Sequence, residues 1–207
     1  MAPTTLDMWQ KQNRHEGDRE RLFSAVRNHV GGTSALYPGS YVDIAASVVF
    51  PTVTYVDLDR RAAKFFSDTA GVLEIIEDEG GSSTASVSFI HADYTEDLDL
   101  DVESFDVLIS LYAGFVSESC TQHLRIGGAL LVNPSHGDAA MASIDARYAL
   151  SGVVLSDSGT YHITTEALDT YLVPKAEITI TAALLHERGR GIAYTKSPFA
   201  YLFTRIV

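Results

Sequence analysis

The stretch from Ala35 to Asp59, A-L-Y-P-G-S-Y-V-D-I-A-A-S-V-V-F-P-T-V-T-Y-V-D-L-D, constrains this chain more than any other. Thr33 to Tyr37 reads as a strand, Tyr37-Pro38-Gly39-Ser40 as a tight turn and Tyr41 to Phe50 as a short, mostly apolar helix. Thr52 to Val56 reads as a second strand, rich in β-branched residues. That strand ends on Asp57, eighteen positions after Gly39. A nucleotide-binding βαβ unit has this grammar: a glycine turn lets the backbone approach the ligand, and an acid about 20 positions on accepts ribose hydroxyls. The turn holds one glycine and no G-x-G-x-x-G, so the stretch also suits a structural turn that binds no nucleotide.

Strand and helix keep alternating downstream. Asp59 suits an N-cap for a helix running from Arg60 towards Glu79, with Ala62, Phe65, Phe66, Leu73 and Ile76 on one face and Gly71 as its break. Ala85 to His91 is a third strand, followed by Ala92-Asp93-Tyr94. Phe105 to Leu111 is a fourth, and its near-continuous apolar run marks a strand buried on both faces. Ser117 to Leu124 reads as a short helix, Ile126-Gly127-Gly128 as a turn and Ala129 to Val132 as a fifth strand. This alternation predicts an α/β fold with a mostly parallel sheet. Such sheets bind ligands beyond the carboxyl ends of their strands, where Gly39, Asp57, Asp93, Tyr112 and Asn133 all fall.

The flanks are less regular. Residues 1–15 read as a loose polar lead-in with Trp9 as an anchor, and Glu16 to Val30 as an amphipathic helix whose charges form a solvated face. Past Val132, Asn133-Pro134-Ser135-His136-Gly137 is a loop and Asp138 to Tyr148 a helix with Asp138 as its cap. A hairpin pairs Gly152 to Leu155 with Thr160 to Ile163, and Thr165 to Leu172 is a short helix. The expectation is one domain over residues 1–207, with an insertion at about 138–175 beside the cleft. Glu177 to Glu187 reads as a helix, and Ile192 to Thr195 with Phe199 to Ile206 as a closing antiparallel pair.

Composition narrows the partners. The chain carries 15 Lys and Arg against 27 Asp and Glu, a net charge of −12, which disfavours nucleic acid and anionic membrane surfaces. Cys120 is the only cysteine, so no internal disulfide forms, as suits a reducing compartment. The opening M-A-P-T-T-L-D-M lacks the apolar core of a signal peptide, and cytoplasmic is the expectation. The acidic loop Asp97 to Glu103 lacks the EF-hand order and reads as solvated; no metal site is expected.

The order of elements resembles the class I S-adenosylmethionine-dependent methyltransferases, over most of Ala35 to Val132 and the last strands. The resemblance implies a Rossmann-like three-layer sandwich with a C-terminal antiparallel strand. It implies that Tyr37, Pro38, Gly39 and Ser40 hold the methionine part of the cofactor. Asp57, with Leu58 beside it, stands where the family binds ribose, and Asp93, with Tyr94, where it contacts the adenine amine. Phe105-Asp106-Val107-Leu108-Ile109 matches the opening of the family's fourth strand, with Ser110 and Leu111 lining the cofactor site at its end, and Gly127-Gly128 precedes the fifth. Two departures stand out: Tyr37 and a single Gly39 replace an acid and several glycines, and Ser110-Leu111-Tyr112-Ala113 replaces the N-P-P-Y of amino-base methylation. The expected activity is methyl transfer from S-adenosylmethionine to a small molecule, with His136 and Tyr112 as candidate catalytic groups. The rivals are a catalytically silent relative that binds or scaffolds, and a nicotinamide oxidoreductase, against which the missing G-x-G-x-x-G counts.

Overall fold

The computed structural model describes residues 3–207. Its helices are α1 (Thr5–Gln12), α2 (Asp18–Val30), α3 (Ala45–Val49), α4 (Arg60–Ser67), α5 (Thr69–Asp78), α6 (Val116–Cys120), α7 (Asp138–Ile144) and α8 (Ala182–Arg188). The strands are β1 (Ser34–Pro38), β2 (Thr52–Val56), β3 (Ser86–Ile90), β4 (Phe105–Ser110), β5 (Leu124–Val132), β6 (Tyr148–Asp157), β7 (Thr160–Thr164) and β8 (Ala200–Arg205). They form one sheet in the order β3-β2-β1-β4-β5-β8-β6-β7. The first five are parallel, and β8, β6 and β7 continue antiparallel. This is the Rossmann-like α/β architecture expected.

The side-chain alternation of each strand makes the layers. Ala35 and Tyr37 of β1, Val53 and Tyr55 of β2 and Val107 and Ile109 of β4 pack in one core with Leu22, Phe23 and Val26 of α2 and Phe65 and Phe66 of α4. Leu36, Val56, Leu108, Leu130 and Val132 face the other way, onto a second core with Val116, Ala140, Met141 and Leu185 of α6, α7 and α8. Helices thus cover both faces, which a parallel sheet requires.

Asp106 staples the amino-terminal edge of this sheet. Its carboxylate accepts from the Thr33 and Ser34 N–H at 2.7 and 3.1 Å and from the Arg125 Nε at 2.6 Å. Gly32, at φ +93°, is needed there: a Cβ would come within 2.7 Å of the Asp106 Cβ. Burial opposes ionisation of Asp106, but the Thr33 and Ser34 N–H groups and Arg125 outweigh it and hold the pKa down at about 2. A depressed carboxyl stabilises the fold above its unfolded pKa of about 3.9, and that contribution is lost as pH falls through 2. Asp106→Ala is therefore expected to destabilise by about 2 kcal/mol at pH 7, with the penalty vanishing near pH 2. Urea melts across that range check it, and an unchanged penalty at pH 2 would contradict it.

Several sequence expectations are corrected. Residues 4–12 are not loose: Thr4 and Asp7 form a reciprocal capping box on α1, and the buried Trp9 donates from Nε1 to Glu79 at 2.8 Å. Met1 and Ala2 lie outside the described residues. The long helix breaks at Asp68 rather than Gly71, because Asp68 caps α5 by accepting from the Gly71 N–H. Ile126-Gly127-Gly128 lies inside β5, at a register shift against β4. The closing pair does not form: β8 lies between β5 and β6, so both its edges are taken, and residues 192–195 reach only an isolated Pro174–Tyr194 bridge. The segment 138–175 contributes α7 and the β6–β7 hairpin, which extends the main sheet.

Candidate active site

Strand order reverses between β1 and β4, and the crevice of such a sheet lies outside that point. Gly39 closes the turn after β1 at φ +66°, and a Cβ there would meet the Ala113 Cβ at 2.8 Å. The β1 turn and the loop after β4 therefore touch. Tyr94, from the loop after β3, fills in beside them: its hydroxyl accepts from the Gly114 N–H at 3.0 Å. Asp57 stands at the tip of β2. One of its carboxylate oxygens accepts from the Tyr41 N–H at 2.7 Å, the other from the Asp59 N–H at 2.8 Å. A carboxylate has about four acceptor sites, so two remain for a ligand.

A cavity of about 1340 Å³ opens next to Asp57. Tyr41, Asp57 and Tyr112 come from the strand ends, Asp59, Arg61 and Lys64 from the start of α4, and Asp7, Lys11, Arg14 and Arg19 from the amino-terminal helices and their junction. Tyr41 and Tyr112 both have left-handed backbones, at φ +52° and +58°. Bulky residues rarely adopt these angles, and such strain gathers at functional sites. Each tyrosine ring carries an arginine: Arg61 lies 5.2 Å from the Tyr41 centroid and Arg19 5.0 Å from that of Tyr112.

Arg19 sits among the charges that the sequence assigns to a solvated helix face. It turns inward instead: its Nε lies 3.6 Å from Asp43, and its side chain is only 23% exposed. Asp43 is buried and also accepts from the Tyr37 hydroxyl at 3.1 Å and the Ala45 N–H at 3.2 Å. Burial raises the Asp43 pKa while Arg19, Ala45 and Tyr37 pull it down. The Tyr37 side chain therefore serves the core, and only its backbone belongs to the turn.

The expected site residues divide clearly. Asp57 and Tyr112 line the cavity, and Leu58 stands 61% exposed beside Asp57. One oxygen of Asp93 accepts from the Thr95 N–H and hydroxyl, leaving the other without a partner among the described residues. Pro38, Ser40, Ser110 and Leu111 are buried under the loops. His136 is exposed in the loop after β5, its Nδ1 2.7 Å from the Ser135 Oγ, and does not line the cavity. Arg19, Tyr41, Arg61 and the α1 residues were missed. The one local signal for Tyr41 was its place directly after the turn.

Asp138 also departs from the role its position suggests. It does not cap its own helix but sits buried beneath β4, accepting from the Ser110 Oγ at 2.5 Å and from the N–H and hydroxyl of Ser117 in the first turn of α6. Burial pushes its pKa up to about 6, although the Ser110 and Ser117 bonds oppose the shift. A raised carboxyl contributes stability below its unfolded pKa, near 4, and loses it as pH rises through 6. Relative to Asp138→Asn, the native protein should lose about 3 kcal/mol between pH 4 and pH 7. Parallel melts of the two proteins check this; a constant difference across that range would contradict it.

The fold is similar to that of O-methyltransferases of known structure. An O-methyltransferase from Bacillus cereus, solved with S-adenosylhomocysteine, superposes with a TM-score of 0.51 at 11% identity, over 79% of this chain and 90% of that one. A methyltransferase from Methanosarcina mazei gives 0.47 at 13% identity, over 88% and 97%. Against a methyltransferase-like protein of Methanococcus maripaludis, at 14% identity and a TM-score of 0.47, the match covers 62% of this chain and spans 61% of the other's length. No protein-family model matches the sequence, and no curated protein does. No helix among the described residues is long and apolar enough to cross a membrane.

Proposed function

We propose that this chain binds S-adenosylmethionine across the ends of β1, β2 and β3 and transfers its methyl group to a small molecule in the adjoining cleft. The observation that carries this is Asp57: a carboxylate at the tip of β2, fixed by two backbone N–H groups, with acceptor capacity left over and an open cavity beside it. The residues fit the cofactor at this end. Asp57 would accept from the ribose hydroxyls, Leu58 and Tyr94 would flank the flat ring, and the second oxygen of Asp93 would accept from the exocyclic amine. Ser110 and Leu111, buried at the end of β4, would lie beneath the cofactor. Residues 37–40 supply a wall rather than a cradle, because Gly39 faces Ala113 and its N–H already donates to the Val56 carbonyl at 2.8 Å. Of these residues only Asp57 lines the adjoining cavity of about 1340 Å³, which would take the acceptor.

When bound, the cofactor would supply an electrophilic methyl group for transfer to the acceptor. The chain's own part is to hold the two molecules in line, about 3–3.5 Å apart. Tyr112, 52% exposed at the cavity wall, would orient the acceptor, whereas His136 lies outside the cavity lining. The lone, buried Cys120 supports a cytoplasmic setting.

The test is incubation with methyl-labelled S-adenosylmethionine and pools of small metabolites. The expected result is label in a small-molecule fraction, lost with Asp57→Ala. Cofactor binding with no transfer to any pool would overturn the reading in favour of a catalytically silent relative.

A further inference from the structure

The cleft is far more basic than the protein around it. Five of the chain's fifteen lysines and arginines line it, although the chain as a whole carries a charge of −12. The acids in the same wall are held by hydrogen bonds within the fold. Asp7 accepts from Thr4, Asp18 from the Tyr161 hydroxyl, Asp57 from two backbone N–H groups and Asp59 from Arg61. The cations are not matched in the same way. Among the described residues, Lys11, Arg14 and Lys64 form no ion pair. Arg19 is paired only through Nε, and its Nη1 is buried with no hydrogen-bond partner. A buried donor without a partner is costly and rare in native structures, and it points to a missing acceptor.

We infer that the molecule accepted by this cleft is an anion, a small compound bearing a phosphate or carboxylate group that Lys11, Arg14 and Lys64 draw in and the Arg19 guanidinium meets. The inference rests on the methyl-transfer reading for the step that follows binding, but not for binding itself. Three unpaired cations around a concave wall raise the local positive potential, which recruits anions that the rest of the surface repels. The arrangement comes from three separate segments, α1 and the residues after it, α2 and α4, so no single charged helix face accounts for it. A small anion also suits the cleft better than a nucleic acid, which would have to approach past an acidic surface.

The experiment titrates the full chain, without cofactor, with pyrophosphate and separately with citrate at low salt. The comparison is the triple variant Lys11→Gln, Arg14→Gln, Lys64→Gln. All three side chains are exposed, so the variant should melt as the native protein does. The expected result is saturable, salt-sensitive binding of at least one probe, weakened about tenfold or more in the variant, while S-adenosylmethionine affinity stays unchanged. Preference for pyrophosphate assigns a phosphate ligand, and preference for citrate a carboxylate one. No saturation by either probe up to about 10 mM, or equal binding by the variant, would overturn the inference. Loss of S-adenosylmethionine affinity in the variant would also overturn it, by giving these cations to the cofactor. If the native chain binds the probes but not S-adenosylmethionine, the anion site stands and the methyl-transfer reading falls.

Discussion

Asp57→Ala is expected to lower affinity for S-adenosylmethionine about 100-fold or more. Hydrogen bonds to a charged group contribute about 1.5–3 kcal/mol each, and the proposed ribose contact makes two of them. Each 1.4 kcal/mol is a factor of ten. The substitution also frees the Tyr41 N–H, which Asp57 holds at 2.7 Å, in a residue already at φ +52°. Part of the effect would then come from a loosened turn, and the melting temperature reports that part. Asp57→Asn separates the two: its amide oxygen still accepts from Tyr41, but it lacks the charge and one acceptor. The expected order of affinity is native, then Asn, then Ala, with only Ala lowering the melting temperature appreciably. Equal affinity in all three would remove Asp57 from the cofactor site.

Arg19→Met should be the most damaging single change to the wall of the cleft. It leaves Asp43, buried beside Tyr37, without its counter-ion. Stripping one partner from a buried ion pair costs about 3–5 kcal/mol. Burial already raises the Asp43 pKa, and loss of Arg19 raises it further. A folded-state pKa above the unfolded value means stability present at low pH and lost as pH rises through the folded pKa. The variant should therefore be worst at alkaline pH and nearest to native around pH 4. Adding Asp43→Asn should recover much of the loss, since the uncompensated charge is gone, and a double-mutant cycle measures the coupling. A pH-independent penalty below about 1 kcal/mol would show that the pair contributes little.

What could be read from the sequence was local. β2 falls where its β-branched run placed it, β1 begins one residue later than expected, and Asp59 caps α4 by accepting from the Arg61 N–H. These depend on neighbours in the chain, and the parallel core follows from apolar strands with helices between them. The errors lie where partners are distant. Trp9 is anchored on Glu79, seventy positions away, and the Thr4–Asp7 capping box is the one local sign that α1 is ordered. Arg19 looks like any charge on an amphipathic helix until the fold brings Asp43 beneath it. Asp138 stands at the start of a helix and reads as its cap, yet it serves Ser110 and Ser117. The basic cleft was invisible for the same reason: its cations sit at positions 11, 14, 19, 61 and 64, and in a chain of net charge −12 no run of them stands out.

The central claim is that the crevice at the ends of β1, β2 and β3 is a cofactor site. Calorimetric titration of the purified chain with S-adenosylmethionine and with S-adenosylhomocysteine tests it most directly. The account predicts saturable binding of both at one site per chain, weakened by Asp57→Ala and untouched by Asp106→Ala at the opposite edge of the sheet. No saturable heat from either ligand up to roughly millimolar concentration would contradict it.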